Sequence, residues 1–275
     1  MSIVAISETV GSLADTIGRE LARRLGYEFM DREIIAKAAE RFGESPSDLT
    51  HVTEEKPTLL ERFTHSKDHY LSSVEATVLE MAARNNVVLC GRSATLALAR
   101  FTHVLRVRIT ASVPVRATRI AQRDGLTADA SVNHVRQADH ERALRVRYLY
   151  HVDWDDPLQY DLTLNTERIS VERAVALLVT MLEDIRYQAT GPAQQELIDA
   201  SLTAMAKATL RANPATRFLP VFVTCKNGHC SVTGIVETET QRQLAQDVLT
   251  AVPGVSGVLN EVVPTQRIRL YASRT

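Results

Sequence analysis

Short apolar runs separated by helical segments most strongly limit how this chain can fold. The run NVVLCG at residues 86–91 is typical of a strand buried on both faces of a parallel sheet. IVAIS opens the chain, and LRVRIT and YDLTLNT follow, with segments of helical spacing between successive runs. LRVRIT alternates apolar and charged residues, which predicts a strand only half covered. Together these runs predict an α/β fold with a parallel sheet covered by helices on both sides.

Composition limits the classes of function. The chain has 275 residues, 45% of them hydrophobic, so it can bury a large core and divide into more than one domain. A formal net charge of -1 argues against general nucleic-acid binding, which needs clustered Lys and Arg. No apolar run approaches the ~18 to 20 residues of a membrane span, and the N-terminus lacks the order of a signal peptide. We therefore expect a cytoplasmic protein without a transmembrane segment.

A change of pattern divides the chain. The segment YQATGPAQQ at residues 187–195 has no apolar periodicity and contains Gly191 and Pro192. It predicts a first domain over residues 1–190 and a second over residues 195–268. The second reads as a helix from about residue 196 to 212, two strands around Asn227-Gly228, a helix and a last strand.

The chain has three cysteines, an odd number, which argues against the fully paired disulfide framework of a secreted protein. A two-residue turn at Asn227-Gly228 would place Cys225 opposite Cys230 at a non-hydrogen-bonded position, within reach of a disulfide. Reduced thiols are the favoured expectation for a cytosolic hairpin, with a redox-sensitive bridge as the alternative. The eight histidines show no metal-ligand spacing, so no metal site is predicted.

The turn after the first strand has part of the composition of a phosphate-binding loop. Such a loop needs glycines whose backbone N–H groups surround anionic oxygens, a Lys for the terminal phosphates and a Ser or Thr for magnesium. Gly11 and Ser12 lie between IVAIS and a helix that ends in LARRLG. The sequence therefore predicts strand, phosphate-binding turn and helix.

Further segments in the same order resemble the cytidylate kinase-like branch of the P-loop nucleoside monophosphate kinases. They are FMDREII, VVLCGRSA, RATRIAQRD, QADHERA and WDDPLQYDLTLNT. The resemblance covers nearly all of the first domain. It implies a P-loop kinase-like fold, a nucleotide or other small anionic ligand, and the use of ATP and Mg²⁺.

The loop departs from the family pattern at four positions. Aligning LARRLG puts Glu8 at the first glycine, Leu13 at the last glycine, Ala14 at the lysine and Asp15 at the magnesium-binding hydroxyl. A carboxylate repels a phosphate by roughly 1 kcal/mol at ~4 Å in water and by more where solvent is excluded. Asp15 could hold magnesium instead and convert repulsion into a bridge. Catalytic activity is therefore left open.

The resemblance also implies roles for particular residues. The phosphate-binding loop would use Gly11, Ser12 and Asp15. The nucleotide site would use Asp31, Arg92, Arg116 and Asp139. The catalytic arginines would be Arg119 at the root of the lid and Arg142 on its return, with Arg123 beside Arg116 and Arg119 on one helical face. Ser93 replaces an aspartate of cytidylate kinases, which weakens a prediction of cytidine specificity.

The second domain resembles a BON domain, through VFVTCKNGHCSVTGIVETET and QRQLAQDVLTAVPGVSGVLNEVV. BON domains are generally regarded as modules that bind phospholipids or other ligands. One hypothesis is therefore an enzyme that transfers phosphate from ATP to a nucleoside monophosphate or related small substrate. The alternative is a catalytically inactive kinase-like protein that binds a nucleotide or other anion, with the BON-like domain recognising a ligand or partner. A structural role in a homo-oligomer is a third reading.

Overall fold

Five parallel strands form the first sheet in a computed structural model that describes residues 1–47, 49 and 66–265. Their bounds are β1 Ile3–Glu8, β2 Glu28–Met30, β3 Val87–Cys90, β4 Val104–Thr110 and β5 Leu162–Asn165. They lie in the order β2-β3-β1-β4-β5, so the central strand β1 pairs with both β3 and β4.

Helices cover both faces of this sheet, as the unbroken apolar runs predict. Alternate residues of β1 enter different cores, because successive side chains of a strand point to opposite faces. The helices of this part are α1 Ala14–Leu25, α2 Arg32–Phe42, α3 Ser66–Ala83, α4 Ala94–Ala97, α5 Val113–Asp124, α6 Ala128–Tyr150 and α7 Val171–Leu182. Ile3 packs towards α2 and α3, whereas Val4 packs towards α1 and α7.

Local signals place several helix ends correctly. Gly43 and Gly125 follow α2 and α5 in the left-handed conformation, and their N–H groups satisfy carbonyls of the preceding turn. The hydroxyl of Ser170 accepts a hydrogen bond from the N–H of Arg173 and caps α7 as predicted. These ends depend on nearby residues only, which is why the sequence predicts them.

Strand β4 differs from the half-covered strand that its alternation predicts. Arg108 is buried because its guanidinium stacks over the ring of Trp154, 4.2 Å from the centroid, and donates to the Trp154 carbonyl. Asp155 pairs with the same guanidinium. A charged residue in a buried strand is thus accommodated by partners 46 and 47 positions away in the chain.

The C-terminal part has the predicted order of helix, two strands, helix and strand. The elements are α8 Gly191–Ala212, β6 Val221–Lys226, β7 His229–Val236, α9 Glu239–Thr250 and β8 Gly257–Pro264. Strand β6 runs antiparallel to β7, and β7 pairs in parallel with β8. Asn227 and Gly228 both have positive φ, 50° and 80°, as the turn of a tight hairpin requires.

Cys225 and Cys230 form a disulfide, so the reduced pair favoured from the sequence is not what the structure contains. The two residues are opposite each other in the predicted register, with Cα atoms 4.0 Å apart. The expectation of free thiols came from the inferred compartment and not from geometry. The third cysteine, Cys90, is buried in β3.

Helix α8 begins inside the segment read as a linker. It starts at Gly191, five residues earlier than expected, with Pro192 in its first turn, where the missing N–H has no helical partner to lose. Its side chains enter two cores. Leu197 packs in the core on the α3 side of the first sheet, whereas Met205 packs with the second sheet. The limits 1–190 and 195–268 therefore remain a prediction, and residues 266–268 lie outside the described part.

Within the described ranges, no helix has both the length and the apolar character needed to cross a membrane.

Candidate active site

The turn after β1 lies at the carboxyl edge of the sheet, where open α/β folds bind ligands. Gly11 has a φ of 79°, and a Cβ atom there would lie 2.8 Å from the backbone oxygen of Arg116. Leu13 also adopts the left-handed conformation, with φ 67°, immediately before α1. The turn is therefore close-packed against α5, and glycine at position 11 is required by both conformation and space.

The two other predicted loop residues point in different directions. Ser12 is only 1% exposed, and among the described residues its hydroxyl has no hydrogen-bond partner. Asp15 lies on the outer side of α1, where it pairs with Arg19 at 3.0 Å. The carboxylate that could replace a magnesium-binding hydroxyl is thus engaged with a surface arginine.

The loop fits a magnesium-bound triphosphate poorly. Ala14, which the sequence alignment predicts at the lysine position, is 1% exposed and offers neither charge nor reach. Glu8 adds a carboxylate at the end of β1, beside the cleft. Residues that would neutralise terminal phosphates are therefore absent from these loop positions, and an additional anion lies next to them.

A narrow cleft lies between the ends of β1 and β3 and helix α6. Arg92 lies in this cleft next to Asp31, with Nη2 3.7 Å from Oδ1, and its side chain is 7% exposed. Arg142 enters from α6, on the other side. The cleft is lined by Ile6, Ser7, Glu8, Gly91, Arg92, Ser93, Thr95, Leu96, Arg142, Val146 and Trp154.

The turn that carries Arg92 has an unusual backbone. Gly91, Arg92 and Ser93 have consecutive positive φ values of 71°, 53° and 57°. Residues other than glycine in this region carry strain that often marks a functional site. A Cβ atom at Gly91 would lie 3.8 Å from Asp31 Oδ1 and 4.0 Å from Glu8 Oε1, so both carboxylates are close to this turn.

Arg116 holds the loop against helix α6. It is 3% exposed, and its guanidinium bonds both carboxylate oxygens of Asp139, at 3.1 and 2.6 Å. It also donates to the carbonyls of Ala111 and Val10. These contacts connect the loop, α5 and α6, so the geometry of Arg116 and Asp139 is that of a buried brace.

Arg119 fastens the other side of the loop. Its guanidinium donates to the carbonyl of Gly11 at 3.1 Å and to both the hydroxyl and carbonyl of Thr166 at 2.9 Å. The Thr166 hydroxyl in turn donates to the carbonyl of Ser12 at 2.9 Å. Arg123, one turn further along α5, instead lies on the surface and pairs with Asp124.

The predicted residues thus fall into three groups. Asp31, Arg92 and Arg142 lie at one cleft, whereas Arg116, Asp139 and Arg119 lie behind the loop with Gly11 and Ser12. Asp15 lies on the outer surface. Spacing along the chain predicted the elements that carry them but not which way each side chain points.

Sequence reasoning missed the tryptophan that lines the cleft. The indole N–H of Trp154 donates to the Ser7 hydroxyl at 3.0 Å, and Tyr160 lies 3.4 Å from the same hydroxyl. Trp154 is the single tryptophan of the chain and belongs to the segment WDDP. Its type and its place in a family-like segment were the available signals.

A second group that sequence reasoning missed lies behind Ser93. The side chain of Tyr150 on α6 lies close enough to the Glu75 carboxyl of α3 and to Ser93 for both to influence its pKa. Burial is the main cause that raises the pKa of both Tyr150 and Glu75 above their ordinary values. The Cys90 thiol also has a raised pKa because it is buried, which disfavours the reactive thiolate.

Strand order and helical cover define an α/β protein with a five-stranded parallel sheet and a ligand-binding edge at the carboxyl ends of its strands. The chain belongs to the cytidylate kinase-like family, whose model matches residues 3–168. The BON domain model matches residues 198–264.

Relatives agree with this assignment over the N-terminal two thirds. A cytidylate kinase of Ignicoccus hospitalis is 30% identical over 183 residues, which cover 66% of this chain and 99% of that protein. A cytidylate kinase of Natronomonas pharaonis is 29% identical over 177 residues, or 64% and 86% of the two chains. The crystal structure of an uncharacterized protein from Eubacterium ventriosum shares the fold, with a TM-score of 0.52, 16% identity and coverage of 67% and 99%.

Proposed function

We propose that this protein binds a nucleoside monophosphate, or a related small anion, in the cleft between β1, β3 and α6. The observation that carries the proposal is that Arg92 and Arg142 come from two elements and line one cleft. Guanidinium groups suit phosphate oxygens because their donors form paired hydrogen bonds with them. The names of the two cytidylate kinase relatives support the same class of ligand.

Asp31 and the strained turn support a binding site of fixed geometry. Asp31 lies beside Arg92, and an adjacent carboxylate orients a guanidinium before a ligand arrives. Three consecutive left-handed residues limit the positions that the turn can adopt. A site prepared in this way loses less conformational entropy when it binds.

Transfer of phosphate from ATP is a separate and more demanding step. Phosphoryl transfer depends on positioning and on neutralising charge at the donor phosphates. Ala14 and Asp15 supply no positive charge at the loop, and Glu8 adds a negative one, so we propose binding without ATP-dependent transfer. If the purified protein forms ADP from ATP in the presence of Mg²⁺ and CMP, this proposal is wrong and the protein is a kinase.

Calorimetric titration with CMP tests binding. We expect micromolar affinity for the protein, and a loss of about tenfold to a hundredfold in Arg92→Ala, since a charged hydrogen bond contributes about 1.5–3 kcal/mol. Arg186→Ala is the control, because Arg186 is exposed and pairs with Asp184. Equal CMP affinity in folded Arg92→Ala would remove Arg92 from the site.

If the protein binds neither CMP nor inorganic phosphate, we infer that the C-terminal part carries the function. The outer side of its sheet exposes Phe222, and Phe218 lies in the preceding loop, with 75% and 79% of their surfaces accessible. Contiguous exposed apolar patches mark interaction sites, and Phe218 lines one depression together with Ile235, which is 57% exposed. The first domain would then be a kinase-like scaffold and the BON domain the ligand- or lipid-binding unit.

A further inference from the structure

Glu8 and Arg142 join the central strand to the helix that covers the cleft. Arg142 Nη1 donates to the backbone carbonyl of Glu8 at 2.9 Å, and Nη2 lies 3.7 Å from the Glu8 carboxylate. The two residues are 134 positions apart in the chain. Both the main chain and the side chain of Glu8 thus contact one arginine.

Polar contacts add to the apolar attachment of helix α6, in which Val146 and Leu149 are buried nearer the C-terminus. Val135 packs with Ala117 and Ile120 of α5 in a cluster separate from the two large cores of the first sheet. The Arg116–Asp139 pair adds a polar attachment near the middle of the helix. In the C-terminal half of the helix, Arg142 extends across the cleft and contacts β1.

The Glu8 carboxylate has the charge of a phosphate oxygen and lies at the arginine that a phosphate would use. A distance of 3.7 Å exceeds the ~2.7–2.9 Å of a strong charged hydrogen bond, so the contact can be exchanged for a better one. A phosphate offers several oxygens and can bind a guanidinium through two of them. A glycine at position 8, as in the family pattern, would present no competing anion.

We propose that Glu8 is an internal anion that holds Arg142 and closes α6 over the cleft until a ligand phosphate displaces it. This inference rests on the proposed function, because the displacing group is the phosphate of the proposed ligand. Ligand binding then breaks the Glu8–Arg142 contact, so Glu8 lowers the affinity of the cleft for the ligand.

Glu8→Gln tests the proposal in the full chain, since it removes the charge and keeps the shape. Two measurements are compared with the natural protein: hydrogen exchange of α6 without ligand, and calorimetric titration with CMP. We expect faster exchange over residues 140–150 and CMP affinity that is about threefold to tenfold higher. Glu80→Gln is the matched control, because Glu80 has similar exposure and contacts Arg41 and Arg84 away from the cleft.

The outcomes separate this proposal from the proposed function. Faster exchange in Glu8→Gln without CMP binding by either protein would support the closure and count against the ligand. Unchanged exchange and unchanged affinity, with CMP bound by both proteins, would overturn the closure and leave the ligand intact. Weaker CMP binding in Glu8→Gln would also overturn it, because Glu8 would then be a ligand contact. If Glu8→Gln does not fold, Arg142→Lys must show faster exchange of α6, and unchanged exchange would refute the closure.

Discussion

Arginines of similar sequence context have different roles in this molecule. Arg116, Arg119 and Arg123 share one face of α5, as their spacing predicts, yet Arg116 is buried and Arg123 is on the surface. The difference depends on what lies opposite each turn of the helix. The first turns face the loop and α6, whereas the last turn faces solvent. Helical spacing fixes a shared direction but not the depth of burial along it.

The contacts of Arg119 predict a structural effect at the loop. Arg119→Ala removes three hydrogen bonds that reach Gly11 and Thr166. We expect the free energy of unfolding to fall by about 1–3 kcal/mol, because buried carbonyl groups lose a charged donor. Arg123→Ala, which removes only an exposed pair, should change it by less than about 0.5 kcal/mol. Urea unfolding measures both, and equal effects would show that Arg119 does not fasten the loop.

Among the helices, α3 and α6 approach each other where Tyr150 lies beside the Glu75 carboxyl. Ser93 connects this pair to the turn that holds Arg92. From helix α8, Arg211 donates to Ser72 on α3, and Arg211 and Lys207 both lower the pKa of Glu75, although burial raises it more strongly. The position of α3 is therefore coupled to the cleft on one side and to α8 on the other.

The raised pKa of Glu75 predicts how stability depends on pH. The folded state binds the proton more tightly than the unfolded state, so the stabilisation is complete below the ordinary value of 4.5. It is lost as pH rises from 4.5 to the raised pKa of Glu75. Glu75→Gln should remove this fall in stability. Urea unfolding between pH 4 and 8 measures the slope, and parallel curves for the two proteins would contradict the expectation.

At the scale of the whole molecule, the N-terminal and C-terminal parts share side chains in one core. Phe42 of α2 and Ala76 of α3 pack in the same cluster as Met205 of α8 and the second sheet. Helix α8 also supplies Leu197 to the core of the first sheet. The regions that match the two family models therefore pack against each other through one continuous apolar core.

This shared core predicts that both parts unfold together. Leu249 of α9 is fully buried in the C-terminal core, so Leu249→Ala should lower stability by about 2–5 kcal/mol. Trp154 is the single tryptophan and reports on the N-terminal part. Its fluorescence transition in urea should shift together with the far-ultraviolet ellipticity. An unshifted Trp154 transition would mean that the two parts unfold independently.

Features that depend on neighbouring residues could be predicted from the sequence. The apolar runs determined a parallel sheet covered on both faces, and Asn227-Gly228 determined the hairpin, because periodicity and φ preferences act locally. The family was predicted because several segments resemble those of its members and occur in the same order along the chain. This resemblance also indicated the residue types at the candidate site.

Which charged side chains meet depends on contacts between residues that are distant in the chain. Arg142 contacts Glu8, and Arg108 is buried beneath Trp154, because the chain folds distant residues together. Helix α8 continues through the apparent linker because packing on α3 stabilises it. Such long-range pairs leave no periodic trace in a single sequence, since their energy depends on burial and distance and not on spacing along the chain.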